Sequence, residues 1–176
     1  MAFSTVDKSS SNFRSKLWTG TGSAQSITYT ESDNMAPNFV WAKRREIGSS
    51  RLIDSQRGVT KYLTSNAADA ENTNAAIITS FDTNGFSLGD DTSVNASGGT
   101  YASWSWKGGT TSGITTNGST VITPSAYSFN QTSGFSVVKY TGNGNTTTKV
   151  AHGLGAVPKM IIIKNLGTSD NWRVYH

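Results

Sequence analysis

Three stretches of this chain return in the same order at one nearly constant distance. Trp18-Thr19-Gly20-Thr21-Gly22 reappears as Tyr140-Thr141-Gly142-Asn143-Gly144. Pro37-Asn38-Phe39-Val40-Trp41-Ala42-Lys43 reappears as Pro158-Lys159-Met160-Ile161-Ile162-Ile163-Lys164, and Arg51-Leu52-Ile53-Asp54 as Arg173-Val174-Tyr175-His176. The offset is 121 or 122 residues throughout, so one insertion or deletion accounts for the drift. Chance likeness between strands would not hold one offset across three segments, so the chain is read as one copy of a repeat and the opening of a second. The second copy stops before any counterpart of residues 55–107. A half-unit leaves a sheet edge unpaired, and the natural polypeptide is therefore expected to continue beyond His176.

Within the first copy the punctuation is that of β-strands. Ser26-Ile27-Thr28-Tyr29-Thr30, Phe39 to Lys43, Arg51 to Asp54, Val59 to Leu63 and Ile77 to Phe81 are short apolar or β-branched runs bounded by turn residues. Asp82-Thr83-Asn84-Gly85 is an Asn-Gly hairpin turn into Phe86-Ser87-Leu88. Tyr101 to Trp106 alternates, with Ala102, Trp104 and Trp106 on one face and Tyr101, Ser103 and Ser105 on the other. Residues 66–76 are expected to be a loop with at most a turn or two of helix, because Asn and Thr offset the alanines. Five Trp, six Tyr and seven Phe supply a core in a chain that is otherwise only 35% hydrophobic and 15% charged. The expected fold class is all-β, an antiparallel β-sandwich or barrel module followed by the start of a second copy. The expected organisation is an N-terminal arm (1–14), a first module (15–107), a Gly/Ser/Thr-rich linker with a short strand at Val121-Ile122-Thr123 (108–133), and the beginning of a second module (134–176).

Several classes of chemistry lack their residues. There is no cysteine, and His152 and His176 are the two histidines, which is too few for a His/Cys zinc site or a nucleophilic triad. Gly20-Thr21-Gly22 and Gly142-Asn143-Gly144 are not followed by helices that would aim amides at a phosphate, so they read as turns. Asp82-Thr83-Asn84-Gly85 with Asp90-Asp91 is the best calcium candidate, but a hairpin turn beside a solvated acidic loop accounts for it more simply. Asp54, Asp69, Glu71, Asp82 and Asp90 show no spacing that selects a glycosidase pair. Trp18, Trp41, Trp104 or Trp106 offer rings for a sugar to stack on, although most of these aromatics are expected in the core. The reading is of a non-enzymatic protein with no cofactor and no metal. The net charge of +4 is spread over Lys8, Arg14, Lys16, Lys43, Arg44, Arg45, Arg51 and Arg57 rather than gathered in a stripe, which argues against nucleic acid. The first residues do not form a signal peptide, and no apolar run is long enough to cross a bilayer.

The motifs together resemble a known group. Asp54-Ser55-Gln56-Arg57-Gly58, Lys61-Tyr62-Leu63, Ser80 to Gly89, Trp104-Ser105-Trp106-Lys107 and Gly153-Leu154-Gly155-Ala156-Val157-Pro158 are similar to the repeated β-domain of tail-fibre-like structural virion proteins of marine tailed phages. The first copy departs at residues 31–36, where Glu-Ser-Asp-Asn-Met-Ala stands in place of the Gly-Leu-Gly turn. The resemblance implies a concanavalin- or lectin-like sandwich and a virion location, in the tail, after synthesis in the host cytoplasm. The chain is then expected to be the N-terminal portion of a fibre or appendage whose arm docks on a tail or adaptor protein, with Phe3, Phe13 and Arg14 as attachment residues. A homo-oligomer, a trimer by preference, and contact with a host surface glycan or protein are the further expectations. A capsid-decorating protein and a polysaccharide-binding or depolymerising fibre are the alternatives.

Overall fold

The computed structural model describes residues 8–116 and 121–176. A 3-10 turn at Ser9–Ser11 leads into β1 (Phe13–Thr19), followed by β2 (Gln25–Thr28), β3 (Phe39–Arg44), β4 (Arg51–Asp54), β5 (Lys61–Tyr62), β6 (Asn72–Thr73), β7 (Ile78–Asp82) and β8 (Gly85–Leu88). A single turn of helix, α1 (Thr92–Asn95), precedes β9 (Thr100–Trp106). The rest carries β10 (Val121–Ile122), β11 (Ala126–Asn130), β12 (Phe135–Lys139), β13 (Lys149–Val150), β14 (Ile161–Ile163) and β15 (Arg173–Tyr175).

The first copy is an antiparallel sandwich. One layer has the strand order β1-β9-β3-β4 and the other β2-β8-β7. Between them Val40, Ala42 and Ile53 of the first layer meet Ile27, Ile78, Phe86 and Leu88 of the second, with Tyr29, Met35, Ile77 and Val94 completing the core. Trp18 spans the layers, edge-on to Phe86 at 5.9 Å and stacked on Tyr101 at 5.4 Å. Met35 gives residues 31–36 their reason for departing from a Gly-Leu-Gly turn: its side chain is wholly buried, and its amide donates to Asn84 Oδ1. The Asn84-Gly85 turn lies where expected, between β7 and β8.

Two boundaries move. Phe13 and Arg14, assigned to the arm, are the first residues of β1 and pair with Trp106 and Ser105. The segment 108–133, assigned to a linker, contains β11, which pairs along its whole length with β12, and Thr110 bridges to Phe129. The period-2 alternation of Tyr127 and Phe129 stands among Gly, Ser and Thr, which hid it. Residues 66–76 form turns and the short β6, with no helix.

Two hairpins in the repeated segments share one register. Applying the offsets to the β3–β4 pairs Val40↔Ile53, Trp41↔Leu52 and Ala42↔Arg51 yields Ile161↔Tyr175, Ile162↔Val174 and Ile163↔Arg173, which are the β14–β15 pairs observed. Both hairpins are also closed by the same lysine. Lys43 Nζ donates to the carbonyls of Arg44 and Ile47, and Lys164 Nζ to those of Asn165 and Thr168, the equivalent positions.

Candidate binding face

β9 runs through the middle of its sheet, and its alternation decides what the two faces carry. Tyr101, Ser103 and Ser105 point inward and are fully buried, whereas Trp104 is 40% exposed. The expectation that most tryptophans serve the core is therefore corrected: Trp18 does, but Trp41, Trp104 and Trp106 stand on the outer face. The reason lies on β1. Arg14, Lys16 and Trp18 share its inward phase, and Arg14 is 2% exposed, opposite Ser105. With a guanidinium and the Tyr29 ring 5.9 Å away filling the interior, β9 has room only for serines there. The bulky residues of that strand take the other side.

Arg14, expected as an attachment residue, is thus an interior residue. It forms an ion pair with Glu31 at 2.8 Å and donates through Nη2 to the carbonyl of Asp33 at 2.7 Å, which offsets part of the cost of burying its charge, while Nε has no hydrogen-bond partner among the described residues. Glu31's own backbone amide, and then Arg14, hold the Glu31 carboxyl below its usual range. Phe13 faces outward, 4.9 Å from the Trp106 ring. Phe3 lies outside the described residues.

Burial pushes the Tyr29 phenol up to about 12, with Ser105 and Arg14 pulling the other way. An unfolded tyrosine ionises near pH 10. Between these values the unfolded chain sheds a proton that the folded chain keeps, so stability falls as pH rises. Urea midpoints across that window should decline, and Tyr29→Phe should remove about 2 kcal/mol of the decline. Identical pH profiles for the two proteins would count against the assignment.

On the outer face the register aligns Phe13, Trp106 and Phe39 in one row and Ser15, Trp104 and Trp41 in the next. Trp41 and Trp104 meet edge to face at 6.3 Å. Together with Trp106 they line an open concavity of about 310 Å³. The second copy meets the neighbouring row: Phe135 of β12 stacks on Trp106 at 6.0 Å and leans on Phe39 at 6.1 Å. A second join lies at the far side, where the Trp172 indole donates to the carbonyls of Thr64 and Ala67. There the amide of Glu71 meets the carbonyl of Leu166, and that of Asp170 meets Ala68.

The other candidates are bound into the fold. The Asp54 carboxylate accepts the amides of Gln56 and Arg57 and pairs with the Arg57 side chain, which also reaches Glu71. That network is what Asp54-Ser55-Gln56-Arg57-Gly58 builds, a turn between β4 and β5. Asp82 accepts from Ser80 and Ser87, Asn84 from Met35, and Asp91 caps α1 through the Ser93 amide. These oxygens serve separate places, and among the described residues no cluster of three acidic or histidine side chains forms. The amides of Gly20, Thr21 and Gly22 all donate to residues 95–99, so none is left for an anion. Asp69 and Asp90 are exposed. His152 Nδ1 accepts the amide of Leu154 in a local turn.

Residues 8–176 match, in one span covering both copies, the model of a family described as a domain of unknown function, DUF7483. The chain belongs to that family. No curated protein and no solved structure matches it.

Proposed function

We propose that this chain is a structural repeat segment of a virion appendage, the N-terminal portion of a tail fibre or related tail protein that attaches through its arm and projects modules outward. The observation that carries the reading is the way the second copy seats on the first. Phe135 stacks into the aromatic row of the first sheet while Trp172 anchors the opposite join, so each copy positions the next, as a length-building protein requires. The resemblance of the repeat motifs to tail-fibre-like proteins supports a tail location. A homotrimer would add buried area to a domain without disulfides. Gold-labelled antibody against the chain on purified particles should decorate the tail. Labelling distributed over the capsid would replace this reading with capsid decoration, and absence from the particle would end both.

The outward tryptophans favour a second reading, contact with a surface polysaccharide through stacking on Trp104 and Trp41. Trp104→Ser should then abolish retardation in a gel containing host polysaccharide while changing stability by no more than about 1 kcal/mol, since Trp104 lies outside the core. Unaltered retardation, or no retardation of the parent protein, would discard this reading.

A further inference from the structure

The second copy repeats the β3–β4 hairpin in register and in its lysine clamp but not in its surroundings. Val40, Ala42 and Ile53 are wholly buried, whereas their equivalents Ile161, Ile163 and Tyr175 are 39%, 42% and 67% exposed. The difference is one of neighbours. β3 lies between β4 and β9, while among the described residues β14 pairs with β15 alone. Three consecutive isoleucines beside an open strand edge form a template for another strand.

An independent sign comes from the glycine turn. A Cβ on Gly20 would lie 2.1 Å from the carbonyl oxygen of Ala96, so glycine is required there by the close approach of the 95–99 loop. Its equivalent, Gly142, has nothing within 4 Å. Gly22 and Gly144 adopt the same backbone angle, φ 74° and 75°. The second copy thus keeps the turn, and the residue type needed for a close approach, where nothing approaches.

We propose that the β14–β15 hairpin is an acceptor for the complementing half of a further unit of this repeat, equivalent to residues 55–107. Its β9-type strand adds antiparallel along the free edge of β14, and its β7–β8-type hairpin covers Ile161, Ile163 and Tyr175. The loop before that strand closes on Gly142. The chain supplies the pattern of the occupant: β9 presents small Ser103 and Ser105 to the interior and large Trp104 and Trp106 outward. The inference rests on the repeat geometry and not on a virion location, so failure of particle labelling leaves it standing.

His176 is the equivalent of Asp54, so a copy of Ser55 to Lys107 joined directly after His176 continues the register. Hydrogen exchange of the β14 amides that do not bond to β15 should slow on the order of 100-fold in the extended chain relative to the original. Ser103→Asp with Ser105→Asp, made only in the added copy, should cancel the slowing. An extended chain whose first copy is folded but whose β14 amides still exchange freely would overturn the proposal. If the added half prevents folding, a synthetic peptide of residues 98–107 is titrated into the original chain, and unmoved amide resonances in β14 would overturn it as well. Protection of β14 in the original chain that grows with protein concentration would also overturn it, in favour of edge pairing between two copies.

Discussion

Asn95→Ala is expected to lower the urea midpoint more than any other substitution of a single polar side chain in the first copy. Asn95 is fully buried, and its side chain ties four separate groups. Oδ1 accepts the Thr21 amide at 2.9 Å and the Gln25 side chain at 2.6 Å, while Nδ2 donates to the carbonyls of Ser23 and Gly89 at 2.7 and 2.6 Å. Truncation leaves the buried Gly89 carbonyl without its donor and opens a cavity beneath the turn, while the more exposed Thr21 and Ser23 groups recover part of their bonding from water. Each unsatisfied buried group costs about 1–3 kcal/mol and the terms do not add fully, so a loss of about 4 kcal/mol follows. Against a total of about 5–15 kcal/mol for a domain, that is a large share. Asn95→Asp is expected to fail too, because it sets carboxylate oxygen against the carbonyls of Ser23 and Gly89. A midpoint within error of the parent for the alanine variant would refute this account of the Gly-Thr-Gly turn.

Gly85→Ala should be comparably severe for a different reason. Gly85 opens β8 at φ 136°, and a Cβ there would lie 2.0 Å from the carbonyl oxygen of Ile27 in β2. Backbone cannot yield as a flexible side chain can, so β2 must part from β8, and the packing of Ile27 on Phe86 goes with it. Strain and lost core contact together are worth about 4 kcal/mol. Gly48 provides the control: its φ is 80° but nothing lies within 4 Å, so Gly48→Ala should cost only about 1 kcal/mol of conformational strain. Equal effects at the two glycines in thermal melts would show that φ, and not the close approach, governs both.

The sequence carried the architecture further than the site. The repeat offset, the Asn84-Gly85 hairpin and the strand runs were legible because each is local or periodic. Which face of β9 turns inward was not. Tyr101 to Trp106 alternates unambiguously, but hydropathy would send the tryptophans inside. The decision rests on Arg14 and Tyr29, residues 91 and 76 positions from Ser105, that fill the interior from β1 and from the end of β2. Arg14 reads as part of a polar arm for the same reason, since a charge is ordinarily exposed, and its partners, Glu31 and Asp33, lie in the loop where the first copy departs from its pattern. The outward period of β1, with Phe13 and Leu17 in phase and Arg14, Lys16 and Trp18 out of phase, was the one local signal available. The helix α1 is too short for periodicity to reveal, and Asp91 as its cap was its only mark.

β9 is the last strand of the first copy in sequence and lies between the first and third strands in space. Residues emerging from a ribosome can form the β3–β4 and β7–β8 hairpins early, but β1 has no partner until Thr100 to Trp106 arrive, and Phe13 waits for Trp106. Loop closure over such separations is slow relative to local pairing. Synthesis therefore holds the aromatic-rich β1 unpaired for nearly the whole of the first copy, and the sheet locks only when its final strand threads into the gap. A nascent chain stalled short of Trp106 would be sticky and sensitive to protease, and one stalled just past it, with the strand clear of the exit tunnel, would be resistant.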